Sequence, residues 1–398
     1  MREKTDSYSV IYLSYFVLTL LLFFWGHSLW RSFYILSYFL KLLTLGFSII
    51  ILAQSIIMYG NKFLIVVFSL FVVILNSFLS GAYYGDILWH FFVLVIGAKG
   101  VSFNRIVKIH LCVEICLCLA NMVAFKLGLI DKSLIFLADE REDMFGGDVI
   151  TRLSFGYPAA TDFATHVFYM LLDYWIIKNG KLNIFEGSIY IVVISFIVHY
   201  CDARQAAACI FLIVLCSIYI YYIRKRMKPT NKLLCSILLF SIPLFFFLSL
   251  VATLLYDNTD IYWIAADMVL SGRLNYGNEA ILENGIHLLG QTVEMHGAGR
   301  AGGMNEYNYV DCAYIQFLLR WGILMMAIIL IVFYKIGKDA IRRNDIVLLF
   351  SLFVVGVSSI ITQFLFHENY CIVALALLAT HNNHLYEKKF AKINKKGK

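Results

Sequence analysis

Charge is scarce in this chain of 398 residues: Asp, Glu, Lys and Arg make up 15% of it and hydrophobic residues 61%, with a mean hydropathy of +0.77. Soluble domains carry about a quarter charged residues, so a soluble enzyme of two or three domains is excluded although the length would suit one. Metal-ligand spacing is missing as well. None of the nine cysteines forms a CxxC pair, and Cys112, Cys116, Cys118, Cys209, Cys216, Cys235 and Cys371 lie in apolar runs, where they read as core-packing free thiols. Only Cys201 and Cys312 fall near a membrane face. No cleavable signal peptide is expected, because the first apolar run, "SVIYLSYFVLTLLLFFWG", is too long for an h-region and no small-residue site follows it. No internal repeat is visible. The glycine-rich "GAGRAGG" lacks the strand-then-helix context of a dinucleotide fingerprint, and the acidic "DEREDMFGGD" lacks a recognised cation-ligand spacing and reads as a solvated loop.

Apolar segments of roughly twenty residues recur along the chain, which predicts an all-α, polytopic membrane bundle forming one domain over residues 1–398. Breaks at charges and turns give twelve candidate spans: 9–26, 33–58, 63–80, 82–98, 106–127, 161–177, 184–200, 206–223, 233–255, 312–334, 346–366 and 370–386. The fourth has a continuous apolar part of only about twelve residues, so it reads as a half-length or re-entrant segment as readily as a full span. With the amino terminus inside, the inner segments hold roughly twenty-three of the 33 basic residues, as the positive-inside rule requires. Both termini are then expected in the cytoplasm, the tail 387–398 forming a basic cytoplasmic end. The net charge of +7 is this inner belt against anionic lipid and not a nucleic-acid footprint. Two long intervals remain outside, 128–160 and 256–311, and the second, free of proline, is expected to hold about two short helices around "IYWIAADMVL" and "AILENGIHLL".

Five arginines sit on that outer side against the charge bias: Arg152, Arg204, Arg273, Arg300 and Arg320. A guanidinium stays charged at any accessible pH and grips phosphate through two parallel hydrogen bonds, so the group points to an anionic ligand, with pairing to loop carboxylates as the alternative for each. Candidate acid/base groups on the same side are Asp162, His166, Asp202, Glu279, Glu283, His287, Glu294, His296, Asp311, His367 and Glu368. Asp311 stands out because it falls where the large loop re-enters the membrane, although an Asp there also suits the N-cap of the following helix. His110 and Glu114, one turn apart in the fifth span, read as a buried pair satisfying each other. Tyr157, Tyr262, Trp263, Tyr276, Tyr307, Tyr309 and Tyr314 suit an interfacial belt, and also packing against sugar faces.

The order of "TRLSFGYPAATDFA" before the sixth span, "CDARQAA" opening the eighth, "SGR" early in the large loop and "YNYVDCAYIQFLLRWGIL" closing it resembles the Wzy-type bacterial polysaccharide polymerases of capsule, exopolysaccharide and O-antigen pathways. It is more remotely similar to the O-antigen ligases. The resemblance covers most of residues 100–380 and implies a glycosyltransferase in the bacterial cytoplasmic membrane, moving a growing glycan on undecaprenyl pyrophosphate onto a new lipid-linked repeat unit. It implies no metal and no cofactor. Arg204 and Arg273 would hold the departing pyrophosphate, Asp311 would be the matching base, and Arg152, Arg300, His287, His296, Tyr276 and Tyr314 would contact substrate. A flippase and a chain-length regulator of the same pathway are the implied protein partners. The sequence departs from the family in Cys312, where asparagine is often found, and in "YPAATD", which replaces an HPN-like turn at Pro158. The rival reading is a flippase or transporter, which would show two similar halves around a midplane site.

Overall fold

The computed structural model describes residues 2–27, 34–81, 87–130, 140–142, 149–226, 232–297 and 308–381. In chain order its helices are α1 (Arg2–His27), α2 (Tyr34–Tyr59), α3 (Phe63–Leu79), α4 (Ile87–Gly97), α5 (Phe103–Lys126), α6 (Ala160–Ile177), α7 (Ile184–Cys201), α8 (Arg204–Arg226), α9 (Lys232–Leu239), α10 (Ser241–Leu254), α11 (Ile261–Val269), α12 (Arg273–Asn284), α13 (Ala313–Arg342) and α14 (Ile346–Ser358). Six of them, α1, α2, α5, α7, α8 and α13, are long and apolar enough to cross a membrane, and α9 with α10 adds a seventh if the 55° bend between them is one broken span. The chain is a helical membrane protein. Helices α3, α4 and α14 are apolar but shorter, and residues 82–86 before α4 lie outside the described residues. Among the described residues the strands are a small antiparallel pair, Glu140–Glu142 with Val149–Thr151. Residues 131–139 and 143–148, the "GAGRAGG" stretch beyond Gly297 and the 387–398 tail lie outside the described residues.

Side chains divide the bundle into a core and an outward apolar surface. Tyr12, Phe16, Trp175, Phe317 and Trp321 are enclosed, whereas Ile35, Phe78, Ile184 and Phe185 are largely exposed on helix faces that hydrocarbon can cover. Cys112 and Cys116 belong to this outward surface of α5, which corrects their reading as core packers: they share a helix with the buried stripe but not its face. All nine cysteines are free. Helix ends are set by local chemistry. Asn183 and Glu186 form a reciprocal capping box at the start of α7, with bonds of 2.7 and 2.8 Å, and Asp202 ends that helix in the left-handed region at φ 43°.

The chain runs back and forth between two ends. One end gathers Lys99, whose ammonium lies 3.0 Å from the Met58 carbonyl, the Val101–Thr380 pairing, and Gly180 beside Val347. The opposite end gathers Leu153 against Tyr200, Gln205 against Ser358, and Ala313, whose N–H meets the Ser359 and Thr362 carbonyls.

The last expected span, 370–386, is described as far as residue 381, and over 370–381 it is not an α-helix. After α14 ends at Ser358 the chain returns between the two ends through 3-10 turns at Phe364–Phe366 and Val373–Leu377, reaching Thr380 at its bridge with Ser102. Residues 364–376 are buried and pack against α4, α13 and α14. Irregular backbone at membrane depth is tolerated only inside such a protein wall, which explains how an apolar run can cross without a helix. Hydropathy reports burial there, and carries no information on the hydrogen-bond pattern.

Helix α13 is interrupted at Gly322, where φ is 78° and ψ 175°. The segment after α12 fills the gap: the N–H groups of Ile323 and Leu324 donate to the His287 and Leu288 carbonyls at 3.0 Å, and Gln291 N–H donates to the Arg320 carbonyl at 3.1 Å. Asn76 of α3 donates to the Trp321 carbonyl at 3.0 Å. The polar groups freed by the break are thereby satisfied. A Cβ at position 322 would lie 2.6 Å from the Leu289 carbonyl carbon, so both the backbone angle and the space require glycine. Of the two short helices expected in 256–311, α11 coincides with "IYWIAADMVL". The second begins earlier than expected, at Arg273, and Gly285 ends it, so "GIHLL" belongs to the inserted segment.

Candidate functional site

Arg273 opens α12. Ser271 and Gly272 precede it with φ of 56° and 82°, a sharp turn, and Asp267 of α11 accepts the N–H groups of Leu274 and Asn275 at 2.8 and 3.2 Å. This fixes the helix start and therefore the root of the arginine. The guanidinium donates to the Ser271 carbonyl at 2.7 Å and the Ile361 carbonyl at 3.4 Å, and meets the Asp311 carboxylate at 2.8 Å, both side chains being 21% exposed. Three chain segments converge here: the start of α12, the approach to α13 and the turn after α14.

The N-cap of α13 is Cys312, not Asp311. The competing reading of Asp311 as that cap is thus set aside by one residue of register. Beside it the Tyr309 hydroxyl donates to Gln363, which also accepts from Gln316 at 2.9 Å. Burial, then the Asp311 carboxylate, pushes the Tyr309 phenol above its usual range, so it stays a neutral donor. Asp162 lies in the first turn of α6.

The remaining expected residues are dispersed. Arg204 is 53% exposed and bonds Asp202 at 3.1 Å within its own turn. Arg152 is half-buried, and Arg300 lies outside the described residues. Arg320 stacks on the Trp321 ring with its guanidinium carbon 4.9 Å from the ring centre. His287 is exposed and contacts the Asn284 carbonyl at 3.1 Å, while His296 is tied through its backbone N–H to Asn308 at 2.5 Å. Tyr276 lines a shallow cleft with Glu279, Glu283, Asn284, Glu294 and Asn308. Tyr314 is fully enclosed and its hydroxyl donates to the Gly356 carbonyl at 3.0 Å, which makes it a packing residue of α13. Among the described residues no group of three or more His, Cys, Asp or Glu is arranged to hold a metal ion.

Behind the arginine site the bundle holds a polar ladder. His110 and Glu114 do not satisfy each other, contrary to their spacing; each reaches across to α6. His110 bonds Asp173, and Glu114 meets His166 at 2.9 Å. Asn369 donates to Glu114 at 3.2 Å and to the Leu20 carbonyl at 3.0 Å, and the Tyr370 ring lies 4.2 Å from the His166 ring. All of these side chains are buried. The signal was present as two stripes at helical spacing, 110–114–118–121 on α5 and 162–166–169–173 on α6. Read together they would have predicted facing helices.

Compared with family models, with curated proteins and with solved structures, the chain matches none.

Proposed function

We propose that this chain is a membrane glycosyltransferase that polymerises lipid-linked oligosaccharide repeat units on undecaprenyl pyrophosphate, at the outer leaflet of a bacterial cytoplasmic membrane. The observation that carries the reading is the Arg273–Asp311 pair, a partly exposed cation and carboxylate at the edge of a helical membrane bundle. It sits at the end away from Lys99 and Lys178, and the excess of Lys and Arg on the other side argues that this end faces outward with both termini in the cytoplasm. The chain path, counting the short helices and the buried 359–380 return as crossings, is compatible with twelve passages.

In this reading Arg273 receives the pyrophosphate of the donor and stabilises its charge as it leaves. The bond from the anomeric carbon to the pyrophosphate oxygen breaks, a bond from that carbon to the acceptor hydroxyl oxygen forms, and the hydroxyl proton passes to a carboxylate at the site. Arg204 and Arg152 would guide the lipid-linked anion, and Tyr276 in its cleft, with His287 and His296, would meet the glycan. The flippase and chain-length regulator of the pathway would be its partners.

A second reading, a carrier or flippase for the same lipid-linked sugar, is favoured by the broken α13 and the buried ladder, since discontinuous helices and intramembrane ionisable groups recur in transporters. Deleting the gene in its native host separates the two. Single repeat units reaching the outer leaflet while long chains are lost is the outcome for a polymerase. Repeat units trapped on the cytoplasmic side would make the chain a flippase and end the polymerase assignment.

A further inference from the structure

The Arg273 guanidinium carries five N–H groups. Three protein oxygens each take one nitrogen: the Ile361 carbonyl meets Nε at 3.4 Å, the Ser271 carbonyl Nη1 at 2.7 Å and the Asp311 carboxylate Nη2 at 2.8 Å. One N–H on each terminal nitrogen is left for an anion. The arginine and Asp311 are neutral as a pair, so a further anion gains most from additional directed donors beside them.

The turn after α14 supplies such a donor. Its Ile361 carbonyl accepts from Arg273, and its Thr362 carbonyl accepts from the first N–H of α13, that of Ala313, at 3.2 Å. Gln363 follows, at most about 7 Å of chain from Ile361. Its side-chain oxygen accepts from the Tyr309 hydroxyl and from the Gln316 amide at 2.9 Å. The same Gln316 nitrogen faces the Met295 sulfur at 3.9 Å. A thioether only accepts, so Gln316 presents its NH2 on that side and Gln363 its oxygen. Two donors thus fix the Gln363 amide in the half-buried turn. Its own NH2 meets no acceptor among the described residues and is not sealed from solvent. Tyr309 lies two residues before Asp311 and Gln316 five after it, so the stretch that orients this amide is the one that brings Asp311 to Arg273.

We propose that Gln363 is a second binding residue for the diphosphate, its amide NH2 donating to the anion that Arg273 meets. The proposal rests on Arg273 being the anion site. A neutral amide is not cancelled by Asp311, and its bond strengthens as charge gathers on the leaving pyrophosphate. Tyr309 and Gln316 are positioning residues in this arrangement, because they act on the anion only through the amide they hold.

The test uses full-length protein purified in detergent, with inorganic pyrophosphate and farnesyl diphosphate as probes and calorimetric titration as the readout. Gln363→Met removes the donor without adding charge and is expected to weaken both probes by about tenfold, the effect of one hydrogen bond to a charged group. Gln363→Glu keeps an oxygen for Tyr309 and Gln316 but turns the donor into a negative oxygen, and is expected to weaken them further. Tyr309→Phe loosens the amide without removing it and should lose less than Gln363→Met. A thermal melt of each variant confirms that it is folded, and the two Gln363 variants serve as independent routes. Wild-type affinity in either folded Gln363 variant overturns the assignment, as does a wild type that binds neither probe. Wild type is expected to bind farnesyl diphosphate more tightly than pyrophosphate. If it binds the two equally and the Gln363 variants weaken both, Gln363 keeps its role for a free diphosphate and the polymerase reading loses its lipid-linked donor.

Discussion

Glu114 and His166 meet at 2.9 Å across the α5–α6 interface with their side chains 2% and 4% exposed. The pair closes one rung of a ladder in which His110 and Asp173 form the next. Groups buried this deeply are tolerated only together, because removing one partner leaves the other uncompensated.

Replacing one partner of that rung is therefore expected to cost more than replacing both. Glu114→Leu alone should lower stability by about 3–5 kcal/mol, whereas Glu114→Leu combined with His166→Leu should recover a large part of the loss. Thermal unfolding of the purified variants in one detergent measures both. A double variant no more stable than the singles would show that the rung does not act as a pair.

Gly322 makes a sharper case. Alanine there combines a φ of 78° with a Cβ 2.6 Å from the Leu289 carbonyl carbon, so Gly322→Ala should destabilise by more than about 1 kcal/mol and reduce accumulation in the membrane. Gly187, in α7, is the control, since a Cβ there meets nothing within 4 Å. Gly187→Ala should be neutral or stabilising by up to about 1 kcal/mol. Equal melting temperatures for the two variants would contradict the account of the broken helix.

Arg204 and Arg273 separate by exposure. Arg204, 53% exposed on a pair within its own turn, is expected to contribute about 0–1 kcal/mol to stability, so Arg204→Ala should melt within a degree or two of wild type. Any effect it has on glycan length then reports substrate contact alone. A large melting shift would mean that the turn between α7 and α8 depends on this pair.

Much of the bundle was legible because apolar runs and charged breaks dictate where helices can lie in a membrane, and α1, α2, α5, α7 and α8 follow them closely. Arg273 and Asp311 were each visible as residues against the local pattern, although nothing in a linear sequence says that positions 38 residues apart would form one ion pair. The 359–380 return was illegible for a physical reason: enclosure by α4, α13 and α14 replaces the requirement for helical hydrogen bonds, and enclosure is a tertiary property. The break at Gly322 depends in the same way on carbonyls of His287 and Leu288. The mispairing of His110 with Glu114 came from reading one helix without its neighbour.

The central claim is that Arg273, held by Asp311, is the cation that handles the lipid pyrophosphate. Its most direct test is the chain-length distribution of surface glycan in the native host carrying Arg273→Ala, Arg273→Lys or wild type at matched membrane levels. The account predicts loss of long chains in Arg273→Ala, with single repeat units still on the outer leaflet, and only partial recovery in Arg273→Lys, because lysine cannot make two parallel bonds to a phosphate. Wild-type chain lengths in Arg273→Ala would contradict it.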